Sequence, residues 1–192
     1  MKKIYLVCGW EGTPGKLFEW MADELRKEGL EVEALSMPNQ DEPVIKDWVA
    51  KLNEVVGNEP NKNIIFVGHS IGCQAILRYL AGLENPGLFG GFVFIAPWLK
   101  VSGLETEEEQ EIAKPWVKTS IDSKKVLAHI PKNKIVAIFS DNDPFVPKEN
   151  WELFEHLFGA KVIIESGKGH ITYEEGVHTL PSALEAVLKM IE

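Results

Sequence analysis

Residues 64–77 read IIFVGHSIGCQAIL, and this stretch decides the fold. Four apolar residues run into the motif GHSIG at residues 68–72, and a second apolar run follows. This order predicts a buried strand, a tight turn and a helix that begins at Ile71. A serine between two glycines at such a turn matches G-x-S-x-G, in which the turn exposes the serine hydroxyl at the top of a sheet. The alternatives are a simple tight connection or a phosphate-binding turn, but no G-K-[ST] follows this strand.

Short apolar runs alternate with helical patterns from one end of the chain to the other. Short runs rich in β-branched and aromatic residues predict strands, and an apolar spacing of three and four predicts helices. The predicted strands lie at residues 2–9, 31–37, 63–68, 90–97, 134–140 and 160–166. The predicted amphipathic helices lie at residues 17–27, 45–56, 71–83 and 180–190.

The predicted strands are almost entirely apolar rather than alternating. Strands of this kind are buried on both faces, as in a parallel sheet whose crossover helices lie on either side. Such crossovers are almost always right-handed. The sequence therefore predicts an α/β fold, a three-layer sandwich with a mostly parallel sheet of about six strands, and a single domain over residues 1–192.

Length, charge and cysteine content narrow the class of protein. The chain has 192 residues, of which 45% are hydrophobic, and its formal net charge is −9. An acidic surface repels phosphate backbones and anionic lipid, so nucleic-acid and membrane partners are not expected. No stretch approaches about 18 consecutive apolar residues. Cys8 and Cys73 are expected to be buried free thiols, which fits a cytoplasmic protein.

The connection between the fourth and fifth predicted strands is long. Residues 98–133 lie between them, whereas a plain crossover needs about a dozen residues. The acidic run at residues 105–109 predicts the first turn of a solvated helix, where carboxylates suit the helix dipole. Trp98 and Trp116 are either ordinary packing residues or walls of a substrate pocket. Segment 98–125 is therefore a candidate lid or pocket insertion.

A histidine after the sixth predicted strand is the candidate base for Ser70. A serine hydroxyl is a weak nucleophile until a base takes its proton, and in this type of fold the acid and the histidine follow the serine in the chain. His170 ends the glycine-rich stretch SGKGH at residues 166–170, at the edge of the sheet where Ser70 is expected. It is the predicted base, and His178 is the main alternative.

The loop after the fifth predicted strand offers two carboxylates. Residues 140–147 read SDNDPFVP, in which two prolines stiffen the loop. Asp143 is the predicted acid, which would hold the imidazole in the correct tautomer and stabilise its charged form. Asp141 is the alternative, although a carboxylate so close to the strand could instead bond the backbone of its own turn.

Two backbone amides are predicted to stabilise an oxyanion. The N–H of Ile71 lies at a helix start, where it has no partner within the helix. The second donor is expected from the loop CGWEGT at residues 8–13, with the Trp10 N–H as the best candidate. Four aromatic side chains are candidate pocket walls, namely Trp10, Trp98, Trp116 and Phe145.

These segments together resemble the α/β-hydrolase superfamily, and more narrowly the small serine hydrolases of the YdeN and retinoblastoma-binding-protein-nine type. The motifs follow the family's order and are VCGWEG (7–12), MPNQDEP (37–43), IIFVGHSIGCQAILRYL (64–80), VFIAP (93–97), FSDNDPFVP (139–147) and GKGH (167–170). The resemblance implies a sheet without the superfamily's two leading strands, a triad of Ser70, Asp143 and His170, and a carboxylic-ester substrate. Region 98–125 resembles the family least.

The predicted function is hydrolysis of a small carboxylic ester through an acyl-enzyme, with no metal and no cofactor. The alternative is a binding module, in which a hydrolase fold recognises a partner with little or no turnover. The sequence leaves open the acyl chain, the choice between ester, amide and peptide substrates, and the oligomeric state.

Overall fold

A parallel sheet forms the centre of the structure, a computed structural model that describes residues 1–191. Its strands are β1 (Lys3–Val7), β2 (Glu31–Leu35), β3 (Ile64–His69), β4 (Gly91–Ile95), β5 (Ile135–Ser140) and β6 (Lys161–Glu165). They are hydrogen-bonded in the order β2-β1-β3-β4-β5-β6, and every neighbouring pair is parallel. The predicted parallel sheet is therefore confirmed.

Helices connect the strands. They are α1 (Lys16–Lys27), α2 (Ile45–Val56), α3 (Ile71–Gly82), α4 (Glu107–Lys118), α5 (Ser123–Leu127), α6 (Glu149–Phe158) and α7 (Pro181–Ile191). The four helices predicted from apolar spacing correspond to α1, α2, α3 and α7, with ends that differ by one residue at most. A short 3-10 helix over Trp10–Gly12 follows β1 and was not predicted.

The helices lie on both faces of the sheet, which confirms the three-layer sandwich. Helices α1 and α7 cover one face, where Leu17 and Val187 are fully buried. Helices α2, α3 and α6 cover the other face, with Leu52, Ile76 and Phe154 in its core. Strands β3, β4 and β5 are consequently buried along their whole length, which explains their apolar sequences. Each fully buried side chain of this kind contributes roughly 1.5–3 kcal/mol.

The long connection after β4 contains α4 and α5. The predicted acidic helix start is confirmed, because Thr106 caps α4 and forms a capping box with Glu109. Arg78 of α3 reaches the other end of α4, where its Nη2 donates to the carbonyl oxygens of Trp116 and Thr119 at 2.7 and 2.8 Å. These bonds hold α4 against the body of the protein.

Two further expectations concern cysteines and membrane spans. Cys8 and Cys73 are both buried and free. Burial raises the pKa of the Cys8 thiol to about 11, so that it stays protonated near neutral pH. Within residues 1–191, none of the helices combines the length and the apolar character that crossing a bilayer requires.

Candidate active site

Ser70 lies at the sharp turn between β3 and α3. Its backbone has φ 52° and ψ −122°, a conformation that residues other than glycine rarely adopt. This conformation lifts the hydroxyl away from the sheet. The glycines of the motif permit this turn. A Cβ at Gly72 would lie 2.5 Å from the carbonyl oxygen of Val7, and one at Gly68 would lie 3.1 Å from the Cα of Cys73. Helix α3 can therefore pack directly on the strands only because these positions lack side chains.

The structure brings His170 to Ser70. The Nε2 atom of His170 lies 2.9 Å from the Ser70 Oγ, although 100 residues separate the two in the chain. Both side chains are largely buried. The alternative base, His178, is exposed and stacks on Tyr173, so it does not lie beside the serine.

Asp143 holds the other side of the His170 ring. Its Oδ2 lies 2.8 Å from the His170 Nδ1, and its Oδ1 accepts the backbone N–H groups of Phe145 and Val146 at 2.8 and 3.1 Å. Because a carboxylate only accepts, the imidazole must carry its proton on Nδ1, which leaves Nε2 free to accept from the Ser70 hydroxyl. The distances therefore define a continuous chain from carboxylate to imidazole to hydroxyl.

The alternative acid, Asp141, bonds the loop that carries His170 and not the imidazole itself. Its Oδ1 accepts the N–H of Gly167 and its Oδ2 the hydroxyl of Ser166, both at 2.8 Å. These bonds lower the pKa of Asp141 and tie the loop after β5 to the loop that carries His170. Asn142 adds a third tie, because its Oδ1 accepts the N–H of Gly169 at 2.9 Å. Asp141 thus positions the loop and does not contact the imidazole.

The loop after β1 also reaches the serine. A Cβ on Gly9 would lie 3.1 Å from the Ser70 Cβ, so the two backbones approach closely. Trp10 is the first residue of the short 3-10 helix and Ile71 the first of α3, so the N–H of neither has a partner within its own helix. Both residues line the cavity in front of Ser70.

This cavity has a volume of about 180 Å³ and is mostly apolar. Helix α4 and the residues before it form one wall, the loops after β1 and β5 form the others, and Ser70 and His170 lie at the base. The remaining lining residues are Trp10, Glu11, Thr13, Ile71, Trp98, Val101, Leu104, Glu109, Ala113 and Phe145. Phe145 meets the His170 ring edge-on, with 5.3 Å between ring centroids.

Three of the four predicted pocket aromatics line the cavity, and Trp116 does not. Trp116 is 1% exposed and packs edge-on against Trp48 in the core beneath α4. Its indole N–H donates to the carbonyl oxygen of Pro43 at 2.9 Å. The prediction for this residue is wrong because of its position along α4. Ala113 and Trp116 are three residues apart and share the inward face of the helix. Ala113 lies beside the cavity, whereas Trp116, one turn further on, packs against Trp48.

The geometry at Ser70 can be compared with known proteins. The model of a family described as serine hydrolase matches residues 4–189, almost the whole chain. The chain belongs to the serine hydrolase family. A serine hydrolase needs an activated serine, and Ser70, which lies beside a histidine that is bonded to a buried carboxylate, is the candidate.

The chain is also similar to a curated hydrolase and to solved structures with the same fold. The YdeN protein of Bacillus subtilis is 27% identical over 183 residues, which cover 94% of this chain and 91% of YdeN. The crystal structure of the ydeN gene product superposes with a TM-score of 0.87, at 23% identity, over 100% of this chain and 99% of that one. The carboxylesterase CesB of B. subtilis shares the fold, with a TM-score of 0.62 at 12% identity over 99% and 83% of the two chains.

Sequence reasoning missed three residues that shape this serine hydrolase site. His69 donates to the backbone of His170, and Asn150 of α6 binds the backbone next to Trp98. Glu109 completes the capping box of α4 and also lines the cavity. The signals were a histidine directly before the nucleophile, an asparagine inside an otherwise amphipathic helix, and a carboxylate at the third position of a capping box. None of these sequence features indicates which distant residue the side chain contacts in the fold.

Proposed function

We propose that this serine hydrolase cleaves a small carboxylic ester through an acyl-enzyme on Ser70, with His170 as the base and Asp143 as the acid that orients it. One observation carries the proposal. Hydrogen-bond distances of 2.8 and 2.9 Å link Asp143 to His170 and His170 to Ser70. Ser70 lies at a cavity that is large enough for a small acyl group. The shared fold with a carboxylesterase supports the ester as substrate.

In the acylation step, the Ser70 oxygen attacks the ester carbonyl carbon while its proton passes to the Nε2 of His170. The imidazolium that forms is stabilised by the Asp143 carboxylate, which is already fixed by two backbone N–H bonds. The bond to the alkoxy group then breaks, and His170 returns the proton to the departing alcohol. The acyl group remains on Ser70.

Hydrogen-bond donors are needed to stabilise the negative charge that develops on the carbonyl oxygen of the ester. The backbone N–H groups of Ile71 and Trp10 are the candidates, since both residues line the cavity and both begin a helix. Loss of one such donor costs roughly 3–4 kcal/mol of barrier in comparable sites. Fixed backbone donors are effective because they need no reorientation during the reaction.

The cavity favours a small and uncharged acyl group. Its walls are supplied mainly by Trp98, Val101, Leu104, Ala113 and Phe145, which offer contact area but few hydrogen bonds. A group of this kind gains affinity from burial alone, and a long chain has no further space within about 180 Å³. We expect the rate to fall as the acyl chain lengthens.

Two measurements test the proposal. A fluorophosphonate probe should label the wild-type protein and leave Ser70→Ala unlabelled, and thermal melting should show that both are folded. A series of p-nitrophenyl esters should be hydrolysed with highest kcat/KM for short acyl chains. A folded wild-type protein that ignores the probe and all the esters, yet retains a protein partner in a pulldown that also survives Ser70→Ala, would establish the binding module instead.

A further inference from the structure

Trp98 contacts the reacting oxygen itself. Its indole Nε1 donates to the Ser70 Oγ at 3.2 Å, and its side chain is only 3% exposed. An indole N–H can donate but never accept. The Ser70 oxygen therefore has two partners with opposite roles, because its own proton points to His170 while one of its lone pairs receives the indole N–H.

The position of this indole is fixed by the backbone that precedes and follows it. Ala96, directly after β4, has φ 46°, and Pro97 follows it, so the chain turns sharply towards Ser70. Asn150, which is fully buried, then accepts the N–H of Leu99 at 2.7 Å and that of Lys100 at 3.0 Å. Strained and buried elements of this kind persist where the surroundings over-determine them.

We propose that Trp98 is a catalytic residue, whose indole N–H stabilises the Ser70 oxygen as the leaving group when water hydrolyses the acyl-enzyme. The inference rests on the proposed function of Ser70 and assigns to Trp98 a role beyond that of a pocket wall. It concerns one half of the reaction, because the Ser70 oxygen is the attacking atom in acylation and the departing atom in deacylation.

The two half-reactions make opposite demands on the donor. In acylation, a hydrogen bond to the Ser70 oxygen withdraws electron density from the nucleophile and gives no advantage. In deacylation, water attacks the acyl carbon and passes a proton to the Nε2 of His170. The bond between the acyl carbon and the Ser70 oxygen then breaks, its electron pair goes to that oxygen, and His170 protonates it. The indole N–H stabilises this oxygen while the charge develops.

The variant Trp98→Phe separates the two half-reactions. It keeps an aromatic ring and removes the N–H. We expect the deacylation rate, and with it kcat, to fall about tenfold, while kcat/KM and the rate of fluorophosphonate labelling stay within twofold of wild type. The acyl-enzyme should then accumulate, visible as a burst of p-nitrophenolate and a lower KM. An isosteric variant with benzothienylalanine at position 98, which replaces N–H by sulfur, gives the same test without loss of volume if the Phe variant is poorly folded.

The control is Trp116→Phe, which also loses a buried indole hydrogen bond but lies outside the cavity. It should lower thermal stability and leave the ratio of burst to steady-state rate unchanged. Equal losses in kcat, kcat/KM and labelling rate for the position-98 variants would overturn the inference, because Trp98 would then only shape the site. Unchanged kinetics would overturn it as well. A wild-type protein that neither labels nor turns over would refute the proposed function itself.

Discussion

The imidazole of His69 holds the backbone of His170, since its Nε2 lies 2.9 Å from the His170 carbonyl oxygen. A carbonyl oxygen only accepts, so this nitrogen carries the proton, and Nδ1 lies 3.3 Å from the Thr13 hydroxyl oxygen. The ring is completely buried, and burial lowers the pKa of His69 to about 3. His69 is therefore neutral in the folded protein and links the loop after β1, the serine turn and the loop of His170.

This burial predicts a loss of stability in mild acid. Below the ordinary histidine pKa of 6.5, His69 is protonated in the unfolded chain, whereas in the folded chain it stays neutral down to about pH 3. Protonation of the unfolded chain therefore lowers the free energy of unfolding as the pH falls below 6.5. From pH 7 to pH 5, His69 alone should lower the free energy of unfolding by about 2 kcal/mol.

Urea unfolding of His69→Gln at several pH values measures this contribution. The variant should be less stable than wild type at pH 7, because packing and hydrogen bonds are lost, but its stability should decline less towards pH 5. The control is His156→Gln, which replaces an exposed histidine of α6 and should retain the wild-type decline. Parallel pH profiles for wild type and His69→Gln would show that His69 does not titrate as the structure implies.

Asp143 and Asp141 are predicted to differ sharply in their effect on catalysis. Asp143→Asn keeps the shape of the side chain but no longer selects the tautomer with the His170 proton on Nδ1, so kcat should fall about 10³–10⁴-fold. Asp141→Asn removes only part of the bonding to Ser166 and Gly167, and kcat should stay within about tenfold of wild type. Initial rates with a short p-nitrophenyl ester measure both. Equal losses for the two variants would contradict the assigned roles.

The sequence predicted the fold well because its signals are local. Apolar runs without alternation identify strands that are buried on both faces, and the apolar spacing of α2 gives both of its ends correctly. The motif at residues 68–72 predicted the turn at Ser70, and its glycines are required by close packing against Val7 and Cys73.

Contacts between distant segments could not be read from the sequence. The bonds from Asn150 to the backbone after Trp98 and from Arg78 to the end of α4 join residues 38 to 51 positions apart. They depend on how α4 and α6 pack, which periodicity does not specify. For the same reason Trp116 was assigned to the pocket, although its burial against Trp48 places it in the core.

Gly72 is predicted to be indispensable for folding. An added Cβ would meet the backbone carbonyl oxygens of Val7 and Cys8, which cannot move without disturbing β1. Gly72→Ala should therefore lower the free energy of unfolding by about 3 kcal/mol or more. Gly82→Ala is the matched control at the other end of α3, where a Cβ meets no atom within 4 Å. It should be neutral or slightly stabilising. Urea denaturation compares the two, and similar values would refute the packing argument.

The charge of the cavity wall predicts discrimination against anionic substrates. Glu11 and Glu109 lie in the wall, and no lysine or arginine does among the described residues. The backbone N–H groups of Glu105 and Thr106 bind the Glu109 Oε2 at 2.8 Å and lower its pKa, so this carboxylate is charged near neutral pH. An acyl group that ends in a carboxylate should therefore be disfavoured relative to an uncharged acyl group of equal length.

The ratio of kcat/KM for such a pair of esters measures the effect. The double variant Glu11→Gln, Glu109→Gln should raise the relative kcat/KM of the anionic ester about fivefold, because it removes two negative charges from the wall of a partly hydrated site. Glutamine at position 109 still satisfies the capping box, so α4 should remain folded. The control Glu108→Gln alters an exposed carboxylate in the same helical turn outside the cavity. If this control shifts the ratio as far as the double variant does, the discrimination arises from net charge and not from the cavity wall.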